Sequence, residues 1–72
     1  MAYQLKTISK EEIGSKIKSL RINKGYTRKQ VADITGISDA TIKAYENGER
    51  MLRLDVAYML IQIYGVELSD LV

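Results

Sequence analysis

The sequence predicts an all-α fold of five short helices, compact, with a helix-turn-helix at its centre. Three observations carry this expectation. Apolar residues recur at helical spacing, as in Ile13, Ile17 and Leu20. Ser9, Thr27 and Ser38 precede these stretches, and Gly25, Gly36, Gly48 and Gly65 follow them, which is how helices begin and end. There is no proline and no low-complexity linker anywhere in the 72 residues.

Residues 1–8 contain no helix signal. Tyr3, Leu5 and Thr7 alternate with Gln4, Lys6 and Ile8, and the segment is expected to be a flexible N-terminal arm. Two other readings stay open, an arm touching DNA through Lys6 and Lys10 and an edge strand pairing with another subunit. Helix one begins at Ser9, which forms a capping box with Glu12 while Ile8 and Ile13 make a hydrophobic staple. Ile13, Ile17 and Leu20 are its core stripe, with Lys16 and Lys18 in solvent. It closes near residues 23–25, where Lys24 favours the carbonyl end.

Thr27 caps the second helix and Gln30 completes a capping box, with Tyr26 stapled against Val31. Gly36 stops it, because only glycine enters the left-handed region without steric cost. Ser38 caps a third helix, with Ile37 and Ile42 as its staple and Asn47-Gly48 as its end. Helices of about eight residues do not persist alone in water, so packing must hold them. Ala32 is expected at their close crossing, with Val31, Ile34 and Ile42 supplying apolar area nearby. After a loop over 49–53, a fourth helix over 54–64 presents Leu54, Ala57, Leu60 or Ile61, and Tyr64 to the core. Gly65 ends it, Val66 and Leu68 pack back, and Ser69 caps one last turn through Val72.

The chain length suits one small domain, with residues 1–8 as arm and 9–72 as the helix-turn-helix domain. Cysteine and histidine are both absent, which excludes thiolate or imidazole metal sites and the serine-histidine and cysteine-histidine catalytic pairs. Glu11, Glu12, Asp33, Glu46 and Glu49 form no recognisable acid-base pair, and no glycine-rich phosphate loop occurs. No enzyme, no cofactor and no small-molecule ligand is expected. No apolar run approaches the roughly 18 residues needed to span a bilayer, and none follows Met1 as a secretory signal would. A cytoplasmic protein without membrane attachment is expected.

Net charge is only +2, but it is unevenly placed. Residues 1–53 carry all 11 Lys and Arg and stand at +5, whereas residues 54–72 carry only Asp55, Glu67 and Asp70 and stand at −3. Lys16, Lys18, Arg21, Lys24, Arg28 and Lys29 fall between residues 15 and 30 with no acid among them. A one-sided field of this kind suits a polyanion.

Val31-Ala32, Gly36, Ile37-Ser38, Ile42 and the run Tyr45-Glu46-Asn47-Gly48 together resemble the Cro and lambda-repressor type of helix-turn-helix domain. The resemblance extends over residues 13–71. It implies a sequence-specific regulator of transcription, a repressor, that binds double-stranded DNA as a dimer with the helix at 38–47 in the major groove; the small apolar patch of helix four makes a weak homodimer the expectation. It also implies that Asp39, Ala40, Lys43 and Ala44 face base edges, and that Arg28, Lys29, Asn47, Arg50 and Arg53 contact phosphates. Arg21 and Glu46 would form a partly buried ion pair locking helix one to the reading helix. Lysine at 43 could reach guanine O6 or N7 or a phosphate, while the alanines offer methyl contacts.

This sequence departs from the family pattern at several places, among them Leu52 for a common loop proline and Ile61 for a typical alanine. Asp39 stands where glutamine is common; it could accept from cytosine N4, or favour the helix N-terminus while repelling phosphate. Arg28 stands where relatives often have glutamine, and could pair with Asp39. Val56, Met59 and Ile63 put an apolar row beside the core stripe of helix four, read either as broad core or as a dimer or partner patch. Asp39 and the apolar face of helix four together support an alternative, a protein-interaction regulator resembling an antitoxin that uses the fold without strong specific DNA binding.

Overall fold

A computed structural model describes residues 3–72. Four α-helices follow one another: α1 Lys10–Asn23, α2 Arg28–Thr35, α3 Asp39–Glu46 and α4 Leu54–Tyr64. A single 3-10 turn, Leu68–Asp70, ends the succession. Residues 3–9 adopt no regular secondary structure, and Tyr3 and Leu5 are each 82% exposed. The expected arm thus lies within the described residues except for Met1 and Ala2.

The starts and stops have local causes. Ser9 caps α1 by accepting from the Glu12 N–H at 3.1 Å, although the reciprocal half of the expected capping box does not form. Thr27 and Gln30 form a full box at α2, with bonds of 3.1 and 2.8 Å. Ser38 accepts from the Thr41 N–H at 3.1 Å and so caps α3. Gly36, at φ +75°, turns the chain between α2 and α3. The first turns of three helices therefore each have one or two of their four orphan N–H groups bonded by neighbours in sequence.

The core draws on every helix. Ile13 and Ile17 of α1 meet Val31 of α2, Ile42 and Tyr45 of α3, and Val56, Ala57, Leu60 and Tyr64 of α4, with Leu71 closing the far end. The rings of Tyr26 and Tyr64 lie 6.2 Å apart at a tilt of 47°. Burial, and secondarily the charge of Glu46, pushes the Tyr64 phenol up to about 12.

α1 packs chiefly on α3, and Gly14 makes that possible. A Cβ on Gly14 would collide with the Tyr45 carbonyl oxygen and stand 2.8 Å from that of Glu46. A second approach occurs at Gly48, whose Cβ would stand 2.8 Å from the Glu11 Cα. Sequence reasoning placed the close crossing at Ala32. Ala32 packs against the core, half-buried, and a further close backbone approach, not anticipated, is that of α1 to α3 at Gly14. A glycine within a helix costs about 1 kcal/mol against alanine, and that cost was the available signal for Gly14.

Several expectations about α4 need correction. Leu54 is 75% exposed and is not a core residue, whereas Val56 is 6% exposed and belongs to the core rather than to a surface patch. The helix advances about 100° per residue, so Val56, Leu60 and Tyr64 form one row with Ala57 beside it. Leu54 falls about a quarter turn to one side of that row, and Met59 and Ile63 fall to the other. Met59 and Ile63 are half-buried and pack against the core edge. Ile34, expected to supply apolar area, is 57% exposed. The last turn is capped by Glu67 and Asp70, not by Ser69. The Glu67 N–H donates to Asp70 at 2.8 Å.

Candidate nucleic-acid interface

α3 presents two different faces. Ile42, Tyr45 and Glu46 point inward and are buried. Asp39, Ala40 and Lys43 point outward and are exposed, and Ala44 is half-buried at the edge of that face. Small side chains at 40 and 44 leave the helix surface low, so another body can approach closely. The Glu49 N–H bonds the Ala44 carbonyl at 2.9 Å and that of Arg50 at 3.4 Å, which folds the following loop back against α3.

Arg21 anchors this helix from behind. Its Nε donates to Glu46 Oε2 at 2.7 Å, its Nη2 to Glu46 Oε1 at 3.1 Å, and its Nη1 to the Tyr26 carbonyl at 2.9 Å. The Arg21 and Glu46 side chains are 12% and 2% exposed. The hydrogen bond to Glu46 raises the Arg21 pKa, and burial opposes it only in part. A two-point pair of this kind fixes orientation as well as distance. It joins α1, the turn before α2 and the end of α3 into one rigid unit.

The N-termini of α2 and α3 are joined by a second pair. Arg28 Nε donates to Asp39 Oδ1 at 2.9 Å, with side chains 36% and 51% exposed. The pair anticipated between Arg28 and Asp39 thus forms, and one Asp39 oxygen is engaged. Arg53 pairs with Asp55 at 3.0 Å on the surface, their side chains 71% and 62% exposed. Lys29, Lys43, Asn47 and Arg50 are exposed, and none of the four has a side-chain hydrogen bond or ion pair among the described residues.

The six bases of residues 15–30 do not form one patch. Arg21 is turned inward to Glu46, and Lys16 donates to the Val72 carbonyl at 3.3 Å. Arg28 and Lys29 alone of the six stand at the start of α2 beside α3. Charge counting along a sequence cannot separate these cases, because helices distribute neighbours around a circle.

Two apolar surfaces include none of these residues. A groove of about 310 Å³ is lined by Ile8, Met51, Leu54, Leu68 and Val72 with core residues at its floor. A shallower one of about 190 Å³ is lined by Ile34, Thr35, Met59, Gln62 and Ile63. The first was not anticipated from sequence; exposed leucines at 54 and 68 were assigned to the core. Among the described residues no cluster of three or more acidic or metal-ligating side chains is placed to hold a metal. None of the described helices is long and apolar enough to cross a membrane.

Comparison with known proteins gives the same fold. A family model described as helix-turn-helix matches residues 17–71. The cryptic phage CTXphi transcriptional repressor RstR of Vibrio cholerae is 34% identical over 58 residues, covering 81% of this chain and 52% of the repressor. A Pyrococcus horikoshii protein, provisionally named HTH-type transcriptional regulatory protein PH1808, is 39% identical over 51 residues. That match covers 71% of this chain and only 16% of the relative's length. The crystal structure of the DNA-binding domain of BldD superposes with a TM-score of 0.78 at 20% identity, covering 94% of this chain and 99% of that domain. The S. venezulae BldD DNA-binding domain gives a TM-score of 0.75 at 22% identity, over 88% and 94% of the two chains. At these identities the structural likeness concerns fold alone.

Proposed function

The chain belongs to the helix-turn-helix family, and from that premise we propose that it is a cytoplasmic, DNA-binding transcriptional regulator, a repressor, that reads double-stranded DNA with α3. The observation that supports this most is the outward face of α3. Asp39, Ala40 and Lys43 stand exposed on a helix held from behind by the Arg21–Glu46 pair, with unpaired Lys29 and Arg50 near its two ends. In this reading Ala40, Lys43 and Ala44 meet base edges, with the Arg28–Asp39 pair at the groove-facing end. Lys29, Asn47, Arg50 and Arg53 contact phosphates, which position the domain without reading sequence. Arg53 would exchange its exposed bond to Asp55 for a phosphate at little cost, since exposed pairs contribute about 0–1 kcal/mol.

One α3 reaches a single short half-site. Two copies related by a two-fold axis would place two such helices on successive major-groove faces about 34 Å apart. The surface of residues 54–72 is the proposed contact between copies, because it has no basic side chain to meet DNA and leaves Leu54, Leu68, Met59 and Ile63 wholly or partly uncovered. Met59 and Ile63 with Ile34 form one candidate edge; Leu54 with Leu68 forms the other. A weak dimer tightened by DNA is the expected behaviour.

Selection from random duplexes with purified protein, followed by gel-shift stoichiometry on one and two half-sites, tests this reading. A recurrent inverted repeat bound by two copies supports it; salt-insensitive binding or none rejects it. Ile63→Lys and Leu54→Lys, checked for folding by circular dichroism, decide which edge joins the copies. The second reading, a protein-binding regulator, is favoured by the 310 Å³ apolar groove. It would stand if DNA binding were absent in the folded protein.

A further inference from the structure

Arg21 and Arg28 are used in opposite ways. Arg21 spends all three of its nitrogens inside the fold, on both oxygens of Glu46 and on the Tyr26 carbonyl. Arg28 spends only Nε, on Asp39 Oδ1 at 2.9 Å. Its Nη1 and Nη2 groups have no hydrogen-bond partner among the described residues, and its side chain is 36% exposed. Asp39 is the first residue of α3, so the bond carries the guanidinium from the start of α2 across to the start of the outward helix face. A guanidinium gripped through Nε keeps its opposite edge, two parallel N–H groups in a fixed plane, directed away from the carboxylate. That edge matches guanine O6 and N7.

Asp39 by itself is poorly suited to the face of a polyanion. A carboxylate there repels phosphate, and Lys43, one turn on along the same face, makes no ion pair with it. Bonded to Arg28, the pair is net neutral and presents donors rather than acceptors. The bond also reduces rotamer freedom in a side chain whose ordering otherwise costs about 1–2 kcal/mol. We propose that Arg28 is a base-reading residue that recognises a guanine through its Nη edge, and that Asp39 is its positioning residue rather than a reader of cytosine. This inference rests on the proposed entry of α3 into the major groove, and reassigns Arg28 from the phosphate rim to the bases.

Lysine at 28 separates the two roles, because it keeps the charge and loses the planar two-donor edge. The experiment uses the best duplex selected by the purified protein and its single-base variants, with affinity read by fluorescence anisotropy across salt. The expected wild-type behaviour is a G·C pair whose replacement weakens binding roughly 5- to 150-fold, the range for a two-point arginine-guanine contact. Arg28→Lys should reduce that penalty while leaving the salt dependence unchanged, and Arg28→Ala should abolish it. Asp39→Asn should reduce the same penalty at the same position, and the double variant should lose no more than Arg28→Lys alone. Both side chains are surface-exposed, and circular dichroism establishes that the variants fold. A penalty undiminished in Arg28→Lys would overturn the inference, because the base preference would then not depend on the two-donor edge. A preference that survives Arg28→Ala but changes in Asp39→Asn would also overturn it, making Asp39 the direct reader. Either result leaves the DNA-binding reading intact. Wild-type protein that binds duplexes without any base preference would remove both.

Discussion

Glu46→Ala is the substitution that tests how α3 is held. It removes both acceptors of Arg21 Nε and Nη2, leaving the guanidinium only its 2.9 Å bond to the Tyr26 carbonyl. The Arg21 side chain is 12% exposed, so water replaces the lost carboxylate incompletely. Stranding one member of a buried pair costs about 3–5 kcal/mol, and the residual exposure of Arg21 puts the expected loss near the lower end, about 3 kcal/mol. At about 0.05–0.15 kcal/mol per residue, a chain of 72 residues has roughly 4–11 kcal/mol of stability in total. The substitution should therefore remove between a quarter and most of it. Urea denaturation followed by circular dichroism measures this, and at about 1 kcal/mol per molar the midpoint should fall by about 3 M. The paired replacement Arg21→Met/Glu46→Leu removes both charges together and should stay within about 1 kcal/mol of wild type, because apolar substitutes for a buried pair are often neutral. A single-variant loss below about 1 kcal/mol would refute the argument. So would a double-variant loss equal to the sum of the two single losses.

Gly14→Ala should destabilise by about 1–3 kcal/mol, since the clash is with the backbone carbonyls of Tyr45 and Glu46 and not with a movable side-chain end; thermal denaturation at neutral pH measures it. Tyr64 supplies a pH dependence. Its folded pKa of about 12 lies above the ordinary 10.0, so its contribution is fully present below pH 10 and is lost as pH rises through 12. Alkaline unfolding that Tyr64→Phe shifts to higher pH is the expected result, read by near-ultraviolet absorbance and circular dichroism. If a bound dimer neutralises about six to eight phosphates, log affinity should fall against log salt with a slope of roughly −5 to −7. Lys43→Ala should cost the best duplex about 1–3 kcal/mol more than a scrambled one; equal losses on both would make Lys43 a phosphate contact.

The α2–α3 unit was legible because its signals are local. Thr27 with Gln30, Gly36, and Ser38 each act on backbone groups within four residues, so spelling alone carries the turn. The ion pair between Arg21 and Glu46 was reachable through resemblance, because two residues 25 apart in sequence have no local reason to meet. The interface residues divide in the same way. Which side of α3 faces out follows from the burial of Ile42 and Tyr45, a periodicity the chain carries openly.

What packing decided is the rotation of α4 and the destination of each charge. The fourth helix is apolar on most of its circumference, so its sequence admits several core rows and offers little to choose among them. Contact with α1 and the final turn selects Val56, Leu60 and Tyr64, exposes Leu54, and leaves Met59 and Ile63 at the edge. Arg21 and Arg28 are both read as basic residues of one segment. One lies in the fold as a structural cation, and the other bridges two helix starts with its outer edge free. By itself the sequence determined where the helices begin, end and turn, because those choices are made by hydrogen bonds between near neighbours. Tertiary structure decided which apolar side chains are covered and which cations are spent, because desolvation and ion pairing depend on residues that only the fold brings within reach.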